Sequence, residues 1–591
     1  MTHKIMNKLE ALKQVTTKPQ LATLLGVKPQ FLTHILYKLQ PKTQYTRFTI
    51  PKKNGGTRTI LAPSDKLKIL QSNLSHLLLD CIDAINKTNQ KKYTYKHALS
   101  HGFVRKASIM TNAVMHLNQK NVLNIDLKNF FDSFNFGRVR GFFIKNNHFK
   151  LDPHIATVIA QIACYDNKLP QGSPCSPVIT NLITHSLDIK LASLAKKYSC
   201  TYSRYADDIT FSTRKQVFPP QIMHQKDGNF FTGKKLKYEI SRAGFFINDK
   251  KTRIQFKDSR QDVTGLIVNK KPNIKKEYWR TVKSQCHRLF HTGTFIKKTN
   301  EGDIDGNINE LEGQLNFIDQ VDRFNRSRQK KPLNPIYQHA NYGINKTPLL
   351  SGREKTFSKF LYYRWFYANT KPTILCEGKT DNIYLKSAIN ILIEDYPTLA
   401  SIETTNSTYK LLIRFIEYSK RTQFLLGLSG GTSYLNYFIV LFDNHYKLYK
   451  APKPQHPVII VLDNDSGFSE TKKKLKNINS TKVHPATIKK DDYFKADFIH
   501  VIHNLYIVLT PLGSQGEETD IEHLFDGATR LIQHNGKCFN TEDKRDNKTD
   551  LSKEAFANHI IKAQKGSVNF NGLKPLLDRI TATITHYNSI K

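Results

Sequence analysis

The chain has 591 residues, enough for about three or four compact units at roughly 150 residues each; with 39% hydrophobic and 11% aromatic residues it is not a disordered or low-complexity protein. Its 90 Lys and Arg against 49 Asp and Glu give a formal charge of +41, a surplus that points to a polyanionic partner, nucleic acid first. Seven cysteines without C-x-x-C spacing, and no apolar run near the length of a membrane span, exclude a zinc ribbon, a disulfide framework and a membrane anchor, and predict a soluble cytoplasmic protein.

Residues 1–50 read as short amphipathic helices in a basic setting, and from 51 to 270 short strands alternate with helices. The run VLNID is an apolar strand ending in Asp126. In LPQGSPCSPVITNLI, Ser176 and Pro177 predict a helix start, with Ile179, Leu182, Ile183 and Leu187 on one face. Just before it, Gly172 lets backbone approach a nucleotide closely, and Gln171 offers both a donor and an acceptor. TYSRYADDITFS predicts two strands around a tight turn carrying Asp207 and Asp208. Adjacent carboxylates at a hairpin tip are costly unless a cation neutralises them, and Mg²⁺ favours a few hard carboxylates plus substrate phosphates. With Asp126 as third carboxylate, two ions fit: one to activate a 3′ or 2′ hydroxyl, one to stabilise a leaving pyrophosphate.

Residues 272–330 are polar and basic with helical spacing at Tyr278, Val282 and Leu289, and the proline-containing stretch 328–350 reads as a boundary. An aromatic helix over 353–368 sets Phe357, Leu361 and Trp365 on one face, a pattern that predicts packing against a neighbouring domain. A second α/β pattern then begins. PTILCEGKTDNIYL is a strand ending in Glu377-Gly378 followed by a helix; PVIIVLDND is a buried strand ending in Asp463 and Asp465; NLYIVLTP leads into GEETDIEHLF with Glu522. Acids thus gather beyond the carboxyl ends of parallel strands, where α/β sheets hold their sites. Asp463 and Asp465, two residues apart, can share a Mg²⁺, with Glu377 as a further ligand or a general acid/base at a phosphodiester.

Taken together, YADD, QGSPxSP and the strand ending in Asp126 resemble a reverse transcriptase of the bacterial, intron-like kind. Two short motifs narrow the resemblance to retron reverse transcriptases: Asn112-Ala113-Val114-Met115-His116 matches NAxxH, and Val263-Thr264-Gly265 matches VTG. The resemblance covers roughly residues 15–330. It implies a right-hand polymerase with fingers and palm over 1–270, a thumb over 271–335, and a linker with the aromatic helix over 336–370. It implies that Arg58 and Lys53 reach the incoming dNTP, that Phe131 lies against the sugar 2′ position, that Tyr205 lies at the substrate, and that Lys251, in GFFINDKKTRI, protonates pyrophosphate. Asn112, His116, Val263, Thr264 and Gly265 are then expected at the RNA. The implied partners are a cognate structured non-coding RNA, the branched RNA–DNA (msDNA) made from it by priming on a guanosine 2′-OH, and a host RNase H that removes copied template.

EGxxD followed by DxD resembles the Toprim domain, and LSGGTSYL, with Gly430 and Gly431, looks like its intervening loop. LSKEAFANHI looks like the lysine segment of the nuclease branch, so Lys553 is expected to stabilise developing phosphate charge. The whole is then a multidomain α/β and α+β protein ending in a Rossmann-like parallel-sheet domain over 371–591. Glu377, Asp381, Asp463, Asp465 and Glu522 are its expected ligands for one or two Mg²⁺ or Mn²⁺ ions, and it is expected to act as an effector nuclease in anti-phage defence. Two other readings stand beside this one: a solitary or intron-type reverse transcriptase whose Toprim-like domain only binds nucleic acid, and a non-enzymatic nucleic-acid scaffold. A homo-oligomer through the aromatic helix and Toprim surfaces is also compatible with the sequence.

Overall fold

A computed structural model of the chain describes residues 7–52, 55–88, 98–299, 301–328, 350–403, 408–489, 492–541, 546 and 549–591. The chain divides into two compact units, Met1–Lys275 and Lys276–Lys591.

In the first unit, β1 (Tyr45–Pro51) and β2 (Thr57–Pro63) form an antiparallel hairpin. Helix α1 (Asp65–Thr88) follows, with Leu67, Leu70, Leu74, Leu78 and Cys81 buried at three- and four-residue spacing. A short helix α2 (Ile109–Val114) precedes β3 (Asn121–Asp126). Helix α3 (Ser176–Lys197) buries Ile179, Ile183, Leu187 and Leu191. It begins one residue earlier than the sequence predicts: Cys175 is the capping residue, and Ser176 lies buried in the first turn. Pro177 tolerates the shift because its missing N–H would be an orphan at either position.

Strands β4 (Cys200–Tyr205), β5 (Asp208–Thr213) and β6 (Arg253–Phe256) complete an antiparallel sheet of order β4-β5-β3-β6. Two-residue strands β7 (Asp262–Val263) and β8 (Leu266–Ile267) then pair across Thr264 and Gly265. Both turn residues have positive φ, +47° and +82°, the demand of a type I′ hairpin that glycine meets at no steric cost.

The second unit opens with helices α4 (Lys276–Thr292), α5 (Ile308–Ser327) and α6 (Gly352–Tyr362). Its sheet is built from β9 (Thr373–Cys376), β10 (Arg414–Phe415), β11 (Val458–Leu462), β12 (Lys482–His484), β13 (Phe498–Ile502) and β14 (Leu505–Leu509), in the order β10-β9-β11-β14-β13-β12. Strands β10, β9, β11 and β14 are parallel, but β13 and β12 each run antiparallel to their neighbour. The expected parallel sheet is therefore mixed. Only His503 and Asn504 separate β13 from β14, with His503 at φ +53°, and so short a link can join only antiparallel strands.

Helices α7 (Lys379–Ile391), α8 (Lys420–Leu426), α9 (Thr432–Tyr446) and α10 (Lys574–Ile590) complete the elements used below. The aromatic helix α6 buries Phe357, Phe360, Leu361 and Tyr362, and the turn after it buries Tyr363, Phe366 and Tyr367. The Tyr362 hydroxyl donates to the Phe442 carbonyl (3.4 Å), and its ring stacks on His445 at 4.4 Å. Helices α4 and α5, within the segment read as a thumb, pack in this same unit. The Phe290 carbonyl accepts from Lys450 N (2.9 Å) and Ala451 N (3.2 Å). From α5, Glu312 pairs with Arg364, Asp319 with Arg421, Asp322 with Arg353, and Arg326 with Glu354. Among the described residues no helix is long and apolar enough to cross a membrane.

Candidate active sites

The first site is made by strand register. Asp126 ends β3 directly opposite Asp208, the first residue of β5, and Ala206 and Asp207 form the turn after Tyr205. Ala206 takes φ +56°, and the Leu127 N–H donates to the Asp207 carbonyl (3.0 Å). Asp126 Oδ1 accepts from Asn248 Nδ2 (2.9 Å), and Oδ2 from Lys251 Nζ (2.8 Å). Burial raises both turn carboxyls above the usual range, with Asp126 adding repulsion; Asp208, which also faces Asp207, is pushed to about 6. Lys251 opposes the rise at both, joined by Arg58 at Asp207.

The hairpin carrying these acids rests on a buried polar scaffold. Arg204 Nε and Nη2 donate to the two carboxylate oxygens of Asp188, each at 2.7 Å, with both side chains essentially inaccessible. Arg204 Nη1 also reaches the Ala206 carbonyl (2.9 Å) and Asn181 Oδ1 (3.1 Å), and the Tyr202 hydroxyl donates to Asp188 (2.7 Å). Gly102 lies so close that an added Cβ would stand 2.7 Å from Ala206 N. Arg204, Asp188, Gly102 and Asn248 join the predicted acids only through the fold. The available signal was an acid among the buried residues of an amphipathic helix, since Asp188 follows Leu187 and precedes Leu191.

The VTG turn meets the helix that carries the start of the NAxxH motif, although the two motifs lie about 150 residues apart in the chain. Thr264 Oγ1 donates to the Ile109 carbonyl at the start of α2 (3.2 Å). Asn112 and His116 have no exposed surface. Asn112 Oδ1 accepts from Ser203 Oγ (2.6 Å), and the two ring nitrogens of His116 lie 2.7 Å from Ser203 Oγ and Ser212 Oγ. These residues were expected at the RNA; their burial instead makes them clamps on β4 and β5. Val263 is buried as well, whereas Gly265 is exposed at the turn tip.

Of the expected substrate contacts, Arg58 is exposed on β2 opposite Ile50, and Lys53 lies outside the described residues. Phe131 is half-buried against Phe130, and Tyr205 is half-buried with its ring 6.4 Å from Phe103. Gln171 accepts from Leu61 N through its carbonyl (2.8 Å). Gly172, at φ +125°, makes its close approach to protein: a Cβ there would stand 2.4 Å from the Leu61 carbonyl oxygen.

The second site lies beyond the ends of β9 and β11. Glu377 accepts from Thr432 Oγ1 (2.5 Å), and its carbonyl accepts from Gly431 N (2.9 Å). Asp381 turns back to accept from Gly378 N (2.6 Å), capping α7, and Asp463 accepts from Ile521 N (3.0 Å). Burial, then Asp381, Glu377, Asp520 and Glu522, push the Asp463 carboxyl up to about 9. Lys553 Nζ stands 2.8 Å from Glu522 and 3.6 Å from Asp520, and the Tyr384 hydroxyl donates to Glu522 (3.3 Å). Asp465 accepts from Gly467 N within its own loop (2.9 Å). Asp520 was not expected at the site; the Asp-x-Glu spacing it makes with Glu522 was the legible sign.

Both sites offer oxygen donors and pooled like charge, the donor chemistry of a hard divalent cation. Among the described residues no three His, Cys, Asp or Glu side chains already enclose a point as metal ligands would. In each site a lysine ammonium pairs with one of the carboxylates, Lys251 with Asp126 and Lys553 with Glu522.

Comparison with known proteins concerns the first unit. A family model described as reverse transcriptase (RNA-dependent DNA polymerase) matches residues 50–275 and stops where the first compact unit ends. The retron Ec86 reverse transcriptase of Escherichia coli is 32% identical over 282 residues, which are 47% of this chain and 77% of that enzyme. The retron Mx162 reverse transcriptase of Myxococcus xanthus is 30% identical over 330 residues, 53% of this chain and 65% of that enzyme, just under two thirds of its length. The chain belongs to the retron reverse transcriptase family.

Proposed function

We propose that the protein is an RNA-directed DNA polymerase that copies part of a structured non-coding RNA into DNA, starting from a 2′-OH of that RNA and leaving a branched RNA–DNA product. The observation that carries this reading is the register of Asp126 against Asp208 with Asp207 in the adjoining turn. Asp126, Asp207 and Asp208 would hold the divalent ions, Mg²⁺ first, whose chemistry is to neutralise charge at the attacking hydroxyl and the leaving pyrophosphate. The chain's own groups supply the rest. Arg58, on the hairpin whose charge reaches Asp207, meets the triphosphate, and Lys251, beside Asp126, gives a proton to the pyrophosphate. Phe131 limits the space at the sugar. The +41 surplus keeps RNA and product bound.

We further propose that the second carboxylate cluster is a Toprim-type nuclease site, with Glu377, Asp381, Asp463, Asp465 and Glu522 as the metal-holding set, and that it serves as the effector of an anti-phage system restrained by the RNA–DNA product. A cluster that only holds nucleic acid is the second reading, favoured by Lys553, whose ammonium already neutralises Glu522.

The test is to purify the protein from cells carrying its native locus and analyse the nucleic acid bound to it. Short DNA joined to RNA, present with Asp463→Asn and absent with Asp208→Ala, is the expected result. RNA alone in the wild type would sink the retron reading. Infected cells whose survival is the same with Asp463→Asn as with the wild type would sink the effector reading.

A further inference from the structure

The loop at residues 101–106 is pinned at both ends and strained between them. His101 N donates to the Arg204 carbonyl (2.8 Å), and Asn181 Nδ2 donates to the Gly102 carbonyl (2.6 Å), fastening the loop start to the acid-bearing hairpin. Arg105 Nη1 fastens the other end to α1 through Asp80 (2.8 Å) and Asp83 (2.6 Å). Between these anchors Phe103 takes φ +56° and Lys106 φ +61°. A bulky residue in the left-handed region is costly and persists only where its surroundings over-determine it, a situation concentrated at functional sites. Phe103 is 48% exposed, with its ring 6.4 Å from the Tyr205 ring.

Phe103 also lines a cavity of about 510 Å³ between the loop, α1 and α3. Leu79, Ile82 and Val178 form apolar walls, Asp83 lines it with its charge met by Arg105, and Lys87 and Lys106 line it as exposed cations. The volume lies in the range of small-molecule sites, and apolar walls with an exposed aromatic ring and cations suit a base and its phosphate. An exposed aromatic face beside lysines is the usual platform for a base of a single strand. We infer that this cavity receives one nucleotide of the bound nucleic-acid strand, its base on Phe103 and its phosphate at Lys87 and Lys106. The inference rests on the reading of residues 1–275 as a unit that copies nucleic acid.

The test uses the full-length protein and a DNA primer annealed to an RNA template carrying 2-aminopurine at single positions along an unpaired stretch. For the wild type, one position should change fluorescence saturably on binding. Phe103→Gly should lose that signal and bind on the order of tenfold more weakly, while keeping its thermal stability, because glycine accepts the positive φ without strain. Phe103→Trp should restore both, and Lys87→Glu with Lys106→Glu should weaken binding and flatten its salt dependence. Equal affinity and equal signal in Phe103→Gly and the wild type would overturn the inference. So would lost binding that Phe103→Trp fails to restore, and so would the absence of any position-specific signal, which is what a pocket for a protein side chain predicts. Failure of the wild type to extend the primer would overturn the polymerase reading instead, and the fluorescence would still decide the pocket.

Discussion

Arg204 and Asp188 form a two-pronged ion pair with neither side chain accessible, and the third arm of the same guanidinium holds the Ala206 carbonyl in the turn that presents Asp207. The geometry couples the interior of α3 to the position of the Asp207 and Asp208 carboxylates. A buried pair of this kind contributes little net stability over apolar packing, but removing one partner strands a charge.

Asp188→Ala should therefore destabilise the first unit by about 3–5 kcal/mol. Chemical denaturation of the full chain should show the loss as an earlier transition. Asp188→Asn, which keeps the shape and two of the acceptor sites, should retain more stability yet lower the rate of DNA synthesis more than it weakens template binding. Equal effects on rate and binding would mean that the pair is a core feature with no hold on the turn.

His116 makes the stability of this unit depend on pH. Burial, with His101 adding repulsion, holds its imidazole at about 3, against 6.5 in the unfolded chain. The native state therefore binds fewer protons than the unfolded one, so stability is complete above pH 6.5 and declines as pH falls toward 3. Between pH 7.5 and 5 this single group should remove about 2 kcal/mol. His101, held at about 4 by burial, adds a loss of the same sign. Urea midpoints across that range should fall steeply for the wild type and less steeply for His116→Gln; parallel curves would contradict the assignment.

What is legible in the sequence is whatever depends on a strand and its end. Asp126, Glu377 and Asp463 each close a short apolar run, so a local pattern finds them and the sheets bring their neighbours together. What depends on pairing across the fold is not legible. Nothing near Arg204 in the chain announces Asp188, and nothing near Asn112 and His116 announces Ser203 and Ser212, which enclose them. The reversal of β13 hides for a similar reason: its two-residue link contains no Gly, and an apolar run reads the same in either direction.

Two glycines should prove intolerant for different reasons. In Gly102→Ala the new methyl would press on Ala206 N, and the turn carrying Asp207 must move; DNA synthesis should fall sharply with overall stability little changed. In Gly172→Ala the methyl meets the Leu61 carbonyl, and the backbone is also at φ +125°, so the start of α3 and the β1–β2 hairpin must separate. This second variant should lose affinity for dNTP as well as stability. A Gly172→Ala protein with an unchanged KM for dNTP would show that the hairpin position does not matter to the substrate.

The ion pairs of α5 test whether the helices read as a thumb are truly one body with residues 371–591. Asp319 is 7% and Arg421 19% exposed at the side chain, and burial holds the Arg421 guanidinium down at about 10. Asp319→Ala should strand Arg421 and cost about 3–5 kcal/mol, whereas Asp319→Leu with Arg421→Met should recover most of that loss by replacing the pair with apolar contact. Because α8 leads through Gly427 and the Gly430-Gly431 loop to Glu377, the damage should also reach the second site. Hydrogen exchange on the full chain provides the measurement. In Asp319→Ala, protection should fall together in α5, in α8 and at Gly431, whose N–H is held by the Glu377 carbonyl. Loss confined to α5 would mean that these helices form a separate module resting on the sheet, and that nothing bound along them can influence the Glu377 cluster.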